Sequence, residues 1–491
     1  MTALLIAGTT SDAGKTIVTT ALCRAFARRG LRVAPFKAQN MSNNSMVVRG
    51  RPGAESAHDS EIGRAQWVQA LAAGVEPEVA MNPVLLKPGG DRRSHVVVMG
   101  RPAGEIAASD FMGGRDHLAE AAYAAYDDLA SRFDLVLCEG AGSPAEINLR
   151  ADDYVNMGLA QHAGMPVVVV GDIDRGGVFA AMYGTVALLD AADQRLMAGF
   201  VVNKFRGDQT LLRPGLDRLE KITGRRVLGV LPWSPDVWLD SEDALDLDSR
   251  RSSDEGALRV AVIRLPRISN FTDVDALGIE PGVDVSFVAD PRSLADADLV
   301  VLPGTRATLA DLTWLRARGL DMAILDHVDE GRPVLGICGG FQMLGRTISD
   351  PDGVEGVRGA EVAGLGLLDV TTTFGSEKVL LLHDEGGYEI HHGRVDLGDA
   401  EEFLGGAHDQ SVFGTMHHGS LESDEFRRAF LADAAESAGR EFVQSTASFA
   451  AARATRLDLL GDLAEEHLDL DALLALARDG APDVPLLAPG A

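Results

Sequence analysis

Residues 4–16 read LLIAGTTSDAGKT, an apolar run followed by a glycine-rich turn, a lysine and a threonine. Phosphate groups need converging backbone N–H groups, which small residues at the start of a helix present closely. In such loops the lysine reaches the terminal phosphates and the threonine hydroxyl holds Mg²⁺. The standard motif has four residues between its glycines and this one has five. Its strand–loop–helix context predicts an ATP phosphate site formed by Gly8, Thr9, Asp12, Gly14, Lys15 and Thr16.

Short apolar runs alternate with helical stretches around this loop, which indicates an α/β fold with a doubly wound parallel sheet. The predicted strands are Ala3–Ala7, Val33–Phe36, Leu135–Leu137, Val167–Val170 and Gly199–Val202, with helices over Ile17–Arg28 and Leu118–Leu129. A polar, charged segment at 241–257 predicts a linker. Alternation then resumes with Arg259–Ile263, Leu299–Leu302 and Val334–Ile337. We therefore predict units over 1–240 and 258–445, and a C-terminal helical pair with a loose tail over 446–491.

Polar side chains follow several of these strands. Glu139 ends Leu135–Leu137 and is a predicted Mg²⁺ ligand, the alternative being a cap for the next helix. Lys37 ends Val33–Phe36 and is either a neutralising group for phosphates and an acyl phosphate or a solvated surface lysine. Asn203, after Gly199–Val202, is suited to reading a nucleotide base.

The charge balance excludes some partners. The chain has 73 acidic and 45 basic residues, a formal charge of −28, which argues against nucleic acid or an anionic membrane as a partner. The first 100 residues are nevertheless net +5. The three cysteines, Cys23, Cys138 and Cys338, form neither a disulfide framework nor a zinc pattern. With no signal peptide or long apolar run, we expect a cytoplasmic protein.

The second unit carries a nucleophile motif. Gly336-Ile-Cys338-Gly-Gly340 follows an apolar strand, and glycines on both sides of a cysteine permit a sharp strand-to-helix turn. The helix that follows would stabilise a negatively charged sulfur. The N–H of Gly339 predicts half of an oxyanion hole, and the turn at Gly304 is a source for the other half. His418, with its neighbour His417 as competitor, is the candidate base.

Taken together, these motifs resemble the glutamine-hydrolysing adenosylcobyric acid synthase family of cobalamin biosynthesis. The resemblance covers nearly the whole chain and lies in Gly8–Thr16, Ala34–Ser42, Glu61–Gln66, Met81–Pro88, Glu139–Gly142, Gly171–Gly177, Gly336–Gly340, Gly387–His391 and Gly414–Gly419. It implies a dethiobiotin-synthetase-like phosphate-loop domain, which shares the longer glycine spacing, followed by a triad-type, class I-like glutamine amidotransferase domain.

The resemblance also implies a reaction. Four peripheral carboxylates (b, d, e and g) of adenosylcobyrinic acid a,c-diamide are amidated, with glutamine supplying ammonia and one ATP consumed at each step. Cys338 is then the nucleophile and His418 its base, while Thr16 and Glu139 hold Mg²⁺. The implied partners are the corrinoid, glutamine and ATP, and the oligomeric state stays open. The usual triad glutamate is replaced by Ser420, so what orients His418 is open, with Glu422 and Asp424 as nearby candidates.

Three other interpretations are weighed against this one. A cobyrinic acid a,c-diamide synthase has the same two-unit design, and the blocks Phe36–Ser42 and Met81–Pro88 favour the first interpretation. A partitioning-type regulatory ATPase would share the phosphate loop but have no use for Cys338. A second unit that only binds would not need both Cys338 and His418.

Overall fold

A computed structural model describes residues 2–50, 58–90, 93–107, 115–235 and 258–488. The predicted linker at 241–257 lies outside these residues, so the boundaries between the units stay predictions. Within the described residues, no helix combines the length and the apolar character needed to cross a bilayer.

The first unit alternates strands and helices from its first residues. Its strands are β1 (Ala3–Gly8), β2 (Val33–Phe36), β3 (Gln39–Met41), β4 (Ser45–Val48), β5 (Ser60–Gly63), β6 (Val84–Gly90), β7 (Arg93–Val98), β8 (Arg101–Ala107), β9 (Leu135–Glu139), β10 (Val167–Asp172), β11 (Met197–Phe205) and β12 (Arg226–Pro232). Its helices are α1 (Lys15–Arg28), α2 (Arg64–Ala73), α3 (Asp116–Arg132), α4 (Met157–Ala163), α5 (Val178–Ala187), α6 (Ala191–Leu196) and α7 (Gln209–Thr223).

Six of these strands form a parallel sheet in the order β12-β11-β10-β1-β9-β2. The five strands predicted for this unit are all present, and β1, β9 and β10 are buried along their whole length. The phosphate loop leaves the carboxyl end of β1, and the acid at the end of β9 lies at the same edge because neighbouring parallel strands end together.

Two smaller sheets were not predicted from the sequence. One is four-stranded, in the order β3-β6-β7-β8, and the other is the antiparallel pair β4–β5. Residues 39–63 carry asparagines, serines and glycines that obscure strand alternation, so propensity alone indicates a loop there. The β4–β5 pair packs its apolar side chains against Tyr388 and Ile390 of the second unit.

The second unit is built around another largely parallel sheet. Its strands are β13 (Leu258–Ile263), β14 (Val283–Val288), β15 (Leu299–Leu302), β16 (Val334–Ile337), β17 (Thr347–Asp350), β18 (Ala360–Ala363), β19 (Val370–Leu382), β20 (Tyr388–Leu397), β21 (Glu401–Phe403), β22 (Gly406–Asp409) and β23 (Val412–Thr415). Its helices are α8 (Thr308–Ala317), α9 (Leu320–Asp329), α10 (Gly339–Leu344) and α11 (Asp424–Ser437). The sheet order is β14-β13-β15-β16-β23-β22-β21. Strands β16 and β23 are therefore neighbours, and Cys338 directly follows the first while His418 lies just beyond the second.

The C-terminal segment returns to the first unit. Helices α12 (Phe449–His467) and α13 (Leu470–Asp479) follow, as the predicted helical pair. Ion pairs join α1 and its C-cap to acids of α12 and α13, and their basic partners are Arg24, Arg28 and Arg29. The prediction of a loose tail is wrong as far as residue 488, because Gln194 exchanges two hydrogen bonds with the Leu487 backbone.

Candidate active sites

Cys338 occupies a strained turn between β16 and α10. Its φ of 51° and ψ of −108° lie where residues other than glycine are rare. A Cβ on Gly340 would lie 2.0 Å from the Leu302 carbonyl oxygen, so the turn has room only for glycine there. The thiol is buried and its sulfur lies 3.9 Å from the carbonyl oxygen of Ile390. The sharp strand-to-helix turn expected at Cys338 is therefore present, and the role of Cys338 as nucleophile stays a prediction.

His418 is held by a residue that the sequence analysis missed. Its Nδ1 lies 2.7 Å from Asp273 Oδ2, and the other oxygen of Asp273 accepts a hydrogen bond from the Gly419 N–H at 2.9 Å. Burial alone would lower the pKa of His418, but the negative charges of Asp273 and Cys338 outweigh burial and raise that pKa to about 10. The site thus favours a protonated imidazole ring at His418.

Neither acid proposed from the sequence takes this position. Glu422 pairs with Arg64 at 2.9 Å and with Arg453 at 2.8 Å. Asp424 pairs with Arg427 and accepts the N–H of Phe449. Glu422 and Asp424 are therefore structural ion-pair partners. The carboxylate that contacts His418 comes instead from the helical segment Phe271–Ile279, after β13.

The two predicted oxyanion-hole glycines lie close to this pair. A Cβ on Gly304 would be 3.1 Å from His418 Cε1, and one on Gly339 would be 3.1 Å from the Thr305 nitrogen. At Gly304 the backbone thus lies nearer to His418 than a side chain would allow, and at Gly339, directly after Cys338, it lies against the Thr305 backbone. Gln342, the fourth residue after Cys338, accepts a hydrogen bond from the Thr308 hydroxyl at 3.3 Å.

The phosphate loop has the geometry that its sequence predicts. Gly14 has a φ of 94°, and a Cβ there would collide with the Asn203 side chain. Lys15 is buried, and its ammonium donates to the carbonyl oxygens of Thr10, Ser11 and Gly142 at 2.9, 3.0 and 3.2 Å. The lysine side chain therefore lies folded over its own loop, at the amino end of α1.

The carboxylate of Glu139 accepts hydrogen bonds from three side chains. The Thr16 hydroxyl donates to its Oε1 at 2.8 Å, the Lys37 ammonium to the same oxygen at 2.9 Å, and the Gln69 amide to Oε2 at 2.5 Å. Burial would raise the pKa of Glu139, but these partners, Lys37 above all, lower it. Lys37 is thus a buried partner of Glu139, and Gln69 is a neighbour that the sequence did not reveal.

The remaining predicted residues also touch the loop. The Asn203 amide donates to the Ala13 carbonyl oxygen at 3.0 Å, so this side chain supports the loop itself. Asp12 pairs with Arg175 at 2.8 Å, and its carbonyl oxygen accepts from Lys204 at 2.9 Å. Gly8 lies under Lys15, since a Cβ there would be 3.0 Å from the lysine Cγ.

A separate cluster of imidazoles surrounds Glu389. His383 Nε2 and His417 Nε2 lie 3.0 and 3.3 Å from Glu389 Oε1, and His391 Nε2 lies 2.9 Å from Oε2. Hydrogen bonds from His391 and then His417 lower the pKa of Glu389. The ligand atoms of His383, Glu389 and His417 lie within 4.8 Å of one another, close enough to hold a metal ion. His417, the alternative candidate for the general base, thus contacts Glu389.

Comparison with protein families divides the chain in the same way. Residues 4–246 match the model described as CobQ/CobB/MinD/ParA nucleotide binding domain, and residues 259–426 match the CobB/CobQ-like glutamine amidotransferase domain. Curated cobyric acid synthases match over full length. Those of Mycobacterium ulcerans (strain Agy99) and Mycobacterium tuberculosis (strain ATCC 25618 / H37Rv) are each 68% identical, covering 100% of both chains.

Solved structures give only a weak likeness. One titled "Crystal structure of glutamine amidotransferase" has 20% sequence identity and a TM-score of 0.28, covering 37% of this chain and 98% of that one.

Proposed function

This chain belongs to the cobyric acid synthase family, and on that premise we propose that it amidates the b, d, e and g carboxylates of adenosylcobyrinic acid a,c-diamide to give adenosylcobyric acid. Glutamine supplies the nitrogen and one ATP is consumed for each amide. The observation that carries the proposal is the pairing of a complete Cys338–His418–Asp273 arrangement with an intact phosphate loop in one chain.

In the amidotransferase site, the Cys338 thiolate attacks the side-chain amide carbon of glutamine. The N–H groups at Gly339 and Gly304 stabilise the oxygen that becomes negative. The His418 imidazolium gives its proton to the leaving ammonia, and Asp273 keeps the ring oriented through Nδ1. Water then attacks the thioester, with neutral His418 as the base, and releases glutamate and the free thiolate.

In the phosphate-loop site, a corrinoid carboxylate attacks the terminal phosphorus of ATP, and ADP leaves. The resulting acyl phosphate is a far better electrophile than a carboxylate, so ammonia attacks its carbonyl carbon and phosphate leaves. Lys15 and Lys37 are the cations that neutralise the phosphates, and the N–H groups of Gly8, Thr9, Asp12 and Gly14 are the proposed cradle. Asn203 supports that loop.

Mg²⁺ is expected with ATP. The hydroxyl of Thr16 and the carboxylate of Glu139 form an oxygen donor set of the kind that Mg²⁺ prefers, and their oxygens lie 2.8 Å apart. When bound, the ion supplies charge neutralisation at the phosphates. Thr16 and Glu139 would hold it, and Lys37 would then move its ammonium from Glu139 Oε1 toward the phosphates.

The defining experiment counts amides. The protein is incubated with adenosylcobyrinic acid a,c-diamide, ATP, Mg²⁺ and glutamine, and each product is analysed by mass. Four added amides support the proposal. No amidation of this corrinoid, but two amides added to cobyrinic acid, would instead assign the a,c-diamide synthase reaction. ATP hydrolysis that needs neither corrinoid nor glutamine would favour a regulatory ATPase.

A further inference from the structure

His418 is supported from two directions inside the amidotransferase unit. Asp273 holds Nδ1, and the ring of Tyr388 stacks on the imidazole with centroids 5.2 Å apart and planes at 22°. The backbones of Tyr388 and His418 also exchange two hydrogen bonds, of 3.0 and 2.8 Å. The orientation of the imidazole therefore depends on where Tyr388 and the Asp273 segment lie.

Both supports continue across the interface to one residue of the first unit. The Tyr388 hydroxyl donates to the carbonyl oxygen of Ser45 at 3.0 Å. The N–H of Ser45 donates to Asn270 Oδ1 at 2.9 Å. Asn270 directly precedes the helical segment that carries Asp273, and the N–H of Asp273 returns a hydrogen bond to the Asn270 carbonyl oxygen. The N–H and the carbonyl group of Ser45 are thus both hydrogen-bonded to residues that support His418.

Ser45 is itself firmly placed in the first unit. It begins β4, whose apolar side chains are buried with Tyr388 and Ile390. The Lys87 ammonium donates to the Ser45 hydroxyl at 2.8 Å. Glu61, fully buried in β5, pairs with both Lys87 and Lys378, the latter from β19 of the second unit. A shift of β4 would therefore be transmitted across the interface.

The contacts run on from β4 to the phosphate site. Ser45 faces Gly63 in the ladder, and the Gly63 N–H donates to Asn82 Oδ1 at 2.9 Å. The Asn82 amide donates to the carbonyl oxygen of Lys37 at 3.2 Å, and the Lys37 ammonium binds Glu139. A contiguous series of buried contacts therefore joins the imidazole of His418 to the residues proposed to bind ATP.

We infer that Tyr388 and Asn270 are positioning residues that make glutamine hydrolysis responsive to occupation of the synthetase site, through Ser45. This inference rests on the proposed function. Small changes in ring orientation alter proton transfer to the leaving ammonia, because the proton must travel along a short, aligned hydrogen bond. The test therefore measures the coupling between the two sites directly.

The test compares glutamine hydrolysis with and without ATP, Mg²⁺ and the a,c-diamide corrinoid. In the wild-type protein we expect these substrates to raise kcat for glutamine by about fivefold or more. Tyr388→Phe keeps the stacked ring and loses the hydroxyl. Asn270→Gly accepts the φ of 49° and loses the side chain. Each variant is expected to reduce the stimulation to less than about twofold, with the KM for glutamine little changed.

Two controls separate positioning from general damage. Tyr126→Phe removes a buried hydroxyl with no hydrogen-bond partner among the described residues, and it should keep wild-type stimulation. Amide formation driven by ammonium chloride should be unchanged in all three variants. If one of the two test variants does not fold, as shown by its thermal unfolding, the other decides the outcome.

A wild-type protein whose glutaminase ignores ATP and corrinoid would overturn the inference, as would full stimulation in a folded Tyr388→Phe or Asn270→Gly. A parallel loss of ammonia-driven synthesis would also overturn it, because the residues would then be structural. A wild-type protein that forms no amide from either nitrogen source would instead refute the proposed function.

Discussion

The phosphate loop and the cysteine site differ in how far apart their residues lie in the chain. The loop takes its glycines, lysine and threonine from nine consecutive residues, Gly8–Thr16. The cysteine site joins Cys338, Gly304 and His418 to Asp273, which lies 145 residues before the histidine. A contiguous motif can be recognised from sequence alone, whereas a site assembled from several strand ends becomes complete only in the fold.

The two sites also handle charge differently. At the phosphate loop, Lys15 and Lys37 are held on carbonyl and carboxylate oxygens of the protein, an arrangement suited to receiving an anion. At the cysteine site, the positive charge lies on His418, because the carboxylate of Asp273 raises the pKa of its imidazole. If the first site binds phosphates and the second transfers protons, as proposed, substitutions should impair each site separately.

The largest expected effect is on the phosphate loop. Lys15→Met should lower amide formation by about 10³-fold or more with either glutamine or ammonium chloride, because the cation that neutralises the phosphates is lost. Basal glutamine hydrolysis, measured without ATP, should persist. Amide formation from ammonium chloride at the wild-type rate would contradict the assignment of Lys15.

The next largest effect is expected at Asp273, which the sequence analysis missed. Asp273→Asn should lower glutamine hydrolysis by about 10²-fold or more and leave ammonia-driven synthesis unchanged, because His418 loses its orienting carboxylate. In the wild type, the rate should decline as the pH rises through the His418 pKa of about 10, where the imidazolium is lost. Without the charge of Asp273 that decline should begin at lower pH. An unmoved alkaline limb in the pH–rate profile would refute this role.

A smaller effect is expected at Gln69. Gln69→Ala removes a buried hydrogen bond to Glu139, and a bond to a charged group is worth about a tenfold change or somewhat more. We expect that loss in amide formation from both nitrogen sources, with basal glutaminase unaffected. Gln161→Ala, which removes an amide contact to Asp193 away from the loop, is the matched control. Equal effects of the two substitutions on amide formation would contradict a specific role for Gln69.

The smallest expected effect is at Asp424, and it tests whether Asp424 or Asp273 orients His418. Asp424→Asn should leave the alkaline limb of the pH–rate profile where it is in the wild type, since Asp424 contacts Arg427 and the backbone of Phe449. It should lower the free energy of unfolding by about 1 kcal/mol, measured by denaturant titration, because a partly exposed ion pair and a capping contact are weakened. A shift of that limb comparable with the one in Asp273→Asn would restore Asp424 as the orienting group.

Sequence reasoning predicted what local patterns encode. Buried strands such as β1 and β10, the loop at Gly8–Thr16 and the elbow at Cys338 each depend on consecutive residues, and the structure contains all three. Strands β3–β8 were missed because polar residues, glycines and prolines interrupt or flank their short apolar runs, and because the pairing between strands is visible only in the fold. Asp273 follows β13 in the chain, and the rule that parallel strand ends converge could have marked it. Tyr388 lies in the family block Gly387–His391 but received no role from it, and Gln69 offered no comparable local signal.

We propose that one chain contains a glutamine-hydrolysing site and a separate ATP-dependent amide-forming site. It is tested most directly by Cys338→Ala, with Cys23→Ala as a control for loss of a buried thiol. Amides on the a,c-diamide corrinoid are counted by mass after incubation with ATP and either glutamine or ammonium chloride. For Cys338→Ala we expect no amides from glutamine and four from ammonium chloride. Amides formed from glutamine by this variant, or none formed from ammonium chloride, would contradict it.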